Sequence, residues 1–229
     1  MNKLNILYED NHIIVLEKPV NVLVQGDNTG DITLSDMLKE YLKIKYNKVG
    51  NVYLGVVHRL DRPVGGLMVF ARTSKAAERL TNSIKNHEFK KNYLCVTKGD
   101  MKEKDTLINY IDRVEKKSII TNSGKGKYAE LSYEILEKKN NLNLLKIDLV
   151  TGRHHQIRVQ LANIHHPLYG DQLYGIQDKK QIALFAYHLE FIHPVTKEHM
   201  SFNLCPKGEI WKTFDFINKW SLSWIRKNF

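Results

Sequence analysis

Asp61 stands between two arginines in the stretch His58-Arg59-Leu60-Asp61-Arg62-Pro63, with Gly65-Gly66 close behind. A carboxylate can act as nucleophile, base or electrostatic anchor, and arginines beside it suit chemistry on an anionic substrate. Taken alone, an Arg-Leu-Asp-Arg run is most simply a surface turn salted with charges. Its flanks give it weight. Apolar runs lead in over residues 52–57 and out over 67–71, and both read as strands. Pro63 has no N–H and ends any ladder there. The spacing therefore predicts a charged loop held between two strands.

This stretch resembles the catalytic motif of the RluA-type pseudouridine synthases, in which His-Arg-Leu-Asp precedes a short turn and then Gly-Leu and apolar residues. Two more stretches match in order: Lys90-Lys91-Asn92-Tyr93-Leu94-Cys95-Val96, and Thr151-Gly152-Arg153-His154-His155-Gln156-Ile157-Arg158-Val159. The resemblance runs from about Ile6 to about Pro194, and includes the paired opening strands closed by Lys18-Pro19. It implies an RNA pseudouridine synthase. Such an enzyme cuts the C1′–N1 bond of a uridine, turns the base and rejoins it through C5, without a cofactor.

The resemblance also implies roles. Asp61 falls on the catalytic aspartate. A lone buried carboxylate tends to keep its proton, and an opposed cation keeps it ionised; the resemblance makes that cation Arg158. Tyr93 falls on the active-site tyrosine, placed to stack on uracil and help move the C5 proton. Arg59 holds the position that fills the gap left by a flipped uridine, whose unstacking costs roughly a few kcal/mol. Arg62 and Arg153 are candidates for phosphate contacts, and Leu184 for the uracil pocket. The chain departs from the family at Val64-Gly65-Gly66, where many members have Thr-Ser-Gly, so a hydroxyl and any hydrogen bond it made are missing.

The rest of the chain must position these groups. The 229 residues suffice for a substantial core. Thr33 can cap a helix reaching residue 45, with Asp36 at its third position. Thr73 or Ser74 can cap a second helix over 75–85. A strand follows at 93–97. Residues 100–127 are polar and lysine-rich, and read as a protruding hairpin or loop. Residues 128–136 and 142–150 read as a strand pair around Lys139-Asn140-Asn141. A helix is predicted over 154–163, a closing strand pair over 183–192 and 200–204, and a helix from 209 onward, with Ile210, Phe214, Ile217 and Trp224 on its buried side. No βαβ regularity is present, so the fold class is α+β, a mixed, mostly antiparallel sheet flanked by helices. The resemblance implies the same, with the catalytic cleft across the sheet. It also implies one catalytic domain over residues 1–229, without a separate N-terminal RNA-binding domain.

Net charge is +10, from 35 Lys+Arg against 25 Asp+Glu. That excess suits a polyanion such as nucleic acid, and also an anionic membrane surface, which no basic amphipathic helix here favours; the resemblance implies that the partner is ribosomal or transfer RNA. No apolar run approaches the ~20 residues of a membrane helix. Cys95 and Cys205 read as two buried thiols, which points to a reducing, cytoplasmic setting, and a monomer is expected. The basic cluster Lys85, His87, Lys90 and Lys91 reads equally as a solvated face or as phosphate contacts.

Two other classes compete. A metal-dependent hydrolase would use His154-His155 and His165-His166, but adjacent residues point to different faces of a helix and chelate poorly, so no metal is expected. A basic RNA-binding module of the same fold, without catalysis, fits the charge. It has no use for a carboxylate set between arginines.

Overall fold

A computed structural model describes residues 4–27 and 29–228, with side chains through residue 222. The elements run β1 (Asn5–Glu9), β2 (Ile13–Lys18), α1 (Leu34–Lys45), β3 (Gly55–Val56), β4 (Gly65–Ala71), α2 (Ser74–Lys85) and β5 (Lys90–Lys98). Then come β6 (Lys104–Val114), β7 (Lys117–Thr121), β8 (Lys127–Lys139), β9 (Leu142–Leu149), α3 (Gln156–Asn163), β10 (Leu184–Ile192), β11 (His199–Asn203), α4 (Glu209–Lys212) and α5 (Asp215–Asn228). The class is α+β. The chain forms two compact units, residues 1–90 with 188–204, and residues 91–187 with 205–229.

In the first unit β2 lies between β1 and β4, β3 pairs with the far end of β4, and β10 pairs with β11, all antiparallel. All seven residues of β4 are buried, and so are Ile13 to Leu16 of β2. These runs lack polar alternation because they form the middle of the core. Both flanking helices start at local signals. Thr33 caps α1 and shares a capping box with Asp36, while Thr73 caps α2 by accepting from the Ala76 N–H. A cap of this kind is worth about 1 kcal/mol.

The second unit carries the antiparallel order β5-β9-β8-β6-β7. Asn140 and Asn141 join β8 to β9 with φ of 55° and 59°, as a two-residue hairpin loop requires. Helix α3 is buried at every position from Gln156 to Leu161. Polar atoms on it can find partners only within the protein. Gln160 Nε2 donates to the Leu107 carbonyl at 3.0 Å and to Asn109 Oδ1 at 2.8 Å.

Several boundaries differ from the sequence expectation. The strand expected over 52–57 reduces to Gly55–Val56, because only these residues find partners on β4, at Ala71 and Phe70. Helix α3 starts at Gln156 rather than at residue 154, because His155 takes a left-handed φ of 52°. The stretch 100–127 holds β6, β7 and the hairpin turn between them, and β6 also pairs along β8. The C-terminal helix is broken at Thr213 and Phe214 into α4 and α5. Phe214 and Ile217 are buried and Ile210 is half-buried, while the Trp224 side chain lies outside the described residues. Cys95 is buried in β5; Cys205 is half-buried and follows β11. Burial drives the Cys95 thiol far above its ordinary range. Among the described residues no helix is long and apolar enough to cross a membrane.

Candidate active site

The loop between β3 and β4 carries Arg59, Asp61 and Arg62 in the first unit. It closes on a turn in which the Val64 N–H donates to the Asp61 carbonyl at 3.0 Å. Leu60 and Val64 are buried and pin the loop, while Asp61 is half-buried and Arg59 exposed. The His58 ring accepts from the Val69 N–H at 3.1 Å and packs on Phe89. Arg62 pairs with Asp31 at 2.8 Å, with both side chains well exposed. Such a pair is weak and screened by salt.

Beneath this loop lies a residue that sequence reasoning treated only as the end of a strand. Lys18 is fully buried. Its ammonium donates to the carbonyls of Pro19 at 2.9 Å, Arg62 at 3.0 Å and Val64 at 2.7 Å. Three acceptors use all three of its N–H groups. Lys18 thus ties the end of β2 to the backbone on the far side of Asp61. Burial pulls its pKa down to about 7, the Asp61 carboxylate acts against that fall, and Arg62 adds to it. Lys18 faces Gly66 across the β2–β4 ladder, and Gly66 has a φ of 127°, open to a residue without Cβ.

In the second unit Tyr93 is buried on β5, opposite Ile147 of β9. Leu184 is buried at the start of β10. Arg158 is buried on α3 and grips Asp171 with Nε at 2.8 Å and Nη2 at 2.7 Å. Asp171 also accepts from the N–H groups of Leu173 and Tyr174, at 2.9 and 3.2 Å. Burial alone would raise the Asp171 carboxyl; the hydrogen bonds and charge of Arg158 and the two N–H donors hold it below its ordinary value. The turn depends on Gly170, whose φ is 72° and where a Cβ would clash with the Gln181 carbonyl. Asp171 was not singled out from the sequence. The only signal was its place in Gly170-Asp171-Gln172-Leu173-Tyr174-Gly175.

The segment before α3 is braced by side chains. Gln156 Oε1 accepts from the Arg153 N–H at 2.9 Å and the Thr151 hydroxyl at 2.8 Å, and its Nε2 donates to the Glu130 carbonyl at 3.0 Å. Arg153 is exposed, and its Nε donates to the Tyr128 carbonyl at 2.7 Å. His154 and His155 do not diverge as helix neighbours would, because they precede the helix. Their rings stack with centroids 3.7 Å apart. His154 Nδ1 lies 2.9 Å from the Ser118 hydroxyl, and His155 Nδ1 lies 3.0 Å from the Tyr174 hydroxyl.

Residues 12–163 match the family model described as RNA pseudouridylate synthase. The chain belongs to that family. It is 35% identical over 216 residues to ribosomal large subunit pseudouridine synthase D of Haemophilus influenzae, covering 86% of this chain and 65% of that protein. The protein of the same name from Vibrio cholerae is 35% identical over 219 residues, with 87% and 66% covered. An uncharacterized RNA pseudouridine synthase of Aquifex aeolicus is 35% identical over 240 residues, covering 95% of this chain and 72% of that one. The chain thus spans just under two thirds of the Haemophilus and Vibrio proteins. Among solved structures, human RNA pseudouridylate synthase domain containing 4 superposes with a TM-score of 0.75 at 21% identity, covering 91% of this chain and 90% of that one. At that identity the likeness speaks for the fold.

Proposed function

We propose that this chain is an RNA pseudouridine synthase that isomerises uridine to pseudouridine through Asp61. The observation that carries this reading is the Asp61 loop itself. It is anchored at its backbone by a buried ammonium, while Arg59 beside it is left exposed for a ligand. Rigid support beneath a solvent-facing charged loop is what an active site needs and a surface turn does not.

In the reaction the N1–C1′ bond breaks and a C5–C1′ bond forms. C5 gives up its proton and N1 gains one, so no redox partner is required. Asp61 provides the essential carboxylate. Tyr93 stacks on the uracil and helps move the C5 proton, Arg158 supplies the counter-charge, and Leu184 lines the base pocket. Arg59 fills the vacated stack, and Arg62 and Arg153 contact phosphate. The names of the relatives favour large-subunit ribosomal RNA as the substrate over transfer RNA. The chain is read as a cytoplasmic monomer that works without metal or cofactor.

The test is Asp61→Asn, assayed on unmodified ribosomal RNA. The variant is expected to lose isomerisation while keeping RNA affinity within about threefold, because phosphate contacts dominate affinity and are untouched. Turnover near that of the unmutated chain would show the carboxylate to be misassigned. Binding without isomerisation by the unmutated chain would return it to the class of RNA-binding modules.

A further inference from the structure

Lys90 and Lys91 are neighbours in β5 and so point to opposite faces of the strand. Their surroundings divide them. The Lys90 ammonium sits 2.7 Å from Glu190, and its hydrogen bond, with that of His199, draws the Glu190 carboxyl down to about 2. Its charge is already answered. Lys91 is half-buried, and among the described residues no acceptor or carboxylate takes its ammonium. Burial alone acts on it and pushes it below the ordinary lysine value. Drawing a cation out of water without a partner is unfavourable, and a bound anion reverses that cost.

The place where an anion would sit is indicated by Gly152. A Cβ there would lie 3.4 Å from Lys91 Nζ and would meet nothing else within 4 Å. The missing side chain leaves the ammonium uncovered, beside a segment held by Gln156. Arg153, next in the chain, commits Nε to Tyr128 while its terminal nitrogens have no partner among the described residues. Lys91 also shares its face of β5 with Tyr93, two residues and about 7 Å further along. That span is comparable to the reach from a nucleobase to its own phosphate.

The geometry points to Lys91, uncovered by Gly152, as a subsite for one backbone phosphodiester of the substrate RNA. The phosphate oxygen accepts from Nζ while the uridine extends along the strand towards Tyr93. This assignment rests on the pseudouridine synthase reading for the identity of the RNA, but not for the chemistry of the subsite.

Binding of a fluorescent single-stranded oligouridylate is measured across a salt series for the unmutated chain, Lys91→Met, Lys91→Gln, Lys91→Arg and Lys90→Met. Melting curves accompany each, and the unmutated chain is assayed for isomerisation on unmodified ribosomal RNA. Lys91→Met and Lys91→Gln are expected to weaken binding at low salt and to flatten the log–log salt slope by about 0.7, the contribution of one single-strand phosphate. Lys91→Arg should restore the slope, and Lys90→Met should leave it unchanged. Folded Lys91→Met and Lys91→Gln proteins with the unmutated slope would overturn the subsite, as would an equal flattening by Lys90→Met. Absent isomerisation with the slope difference intact would instead defeat the pseudouridine reading and leave the phosphate subsite standing.

Discussion

Arg158 and Asp171 meet through two parallel hydrogen bonds of 2.8 and 2.7 Å, with both side chains buried. A paired and hydrogen-bonded buried charge costs little; the same charge left alone costs a great deal. Arg158→Met is therefore expected to destabilise the chain by about 3–5 kcal/mol, since it strands the Asp171 carboxylate. Urea unfolding measures this. A loss under about 1 kcal/mol would mean that the pair contributes nothing beyond an exposed one. Because Arg158 is also proposed as the counter-charge for catalysis, isomerisation should fall as well.

The same pair sets an acid limit. The folded value of Asp171 lies below its unfolded value of 3.8. Such a group contributes stability that is complete above the unfolded value and is lost as pH falls through the folded one. Asp171→Asn has lost that contribution at every pH. The stability gap between the two proteins should be wide at neutral pH and should narrow steadily in acid. Unfolding curves taken from neutral pH down to about pH 3 read it directly, and a gap independent of pH would remove Asp171 from the acid limb.

Lys18 should matter to folding in a different way. Its ammonium satisfies the Arg62 and Val64 carbonyls from a fully buried position. Lys18→Met keeps the length of the side chain and removes the donors. Unsatisfied buried acceptors cost about 1–3 kcal/mol each, so a loss of several kcal/mol is expected. Proteolysis at the Asp61 loop should quicken too, because the tie between β2 and that loop is gone. A melting temperature within about 2 °C of the unmutated chain would show that water replaces the ammonium without penalty.

What could be read from the sequence follows the range of the interactions involved. The Thr33–Asp36 box and the Asn140-Asn141 turn were legible because each is written within a few residues, where the backbone demand and the side chain that answers it lie side by side. The Asp61 loop was legible from its flanking apolar runs. Asp171 was not, because its partner lies 13 residues away across a helix and a turn, and a lone Asp beside a Gly reads as ordinary turn chemistry. Lys18 was visible in Lys18-Pro19, but a lysine is normally exposed, and nothing local announces three carbonyls brought from residues 19, 62 and 64. The start of α3 was misplaced by two residues because nothing in the sequence of His155 announces its positive φ.

Arg59 gives the sharpest contrast with Arg158. It is exposed, and no hydrogen bond or ion pair joins it to another described residue. Its removal should leave the fold alone, since surface substitutions of this kind change stability by about 0.5 kcal/mol or less. Its proposed work is on the RNA, where its side chain takes the space of the flipped uridine. The energy at stake is the unstacking of that base, roughly a few kcal/mol in a structured context and less in a flexible strand. Arg59→Ala should therefore reduce turnover strongly on a folded stem-loop and only weakly on an unstructured RNA carrying the same uridine. Arg158→Met should reduce turnover on both alike, because the stability it loses does not depend on the substrate. Parallel melting curves and rates on the two RNAs separate the arginines. An Arg59→Ala protein that melts as early as Arg158→Met would place Arg59 in the fold, and one that melts normally but loses equal activity on both RNAs would remove it from the space of the flipped uridine.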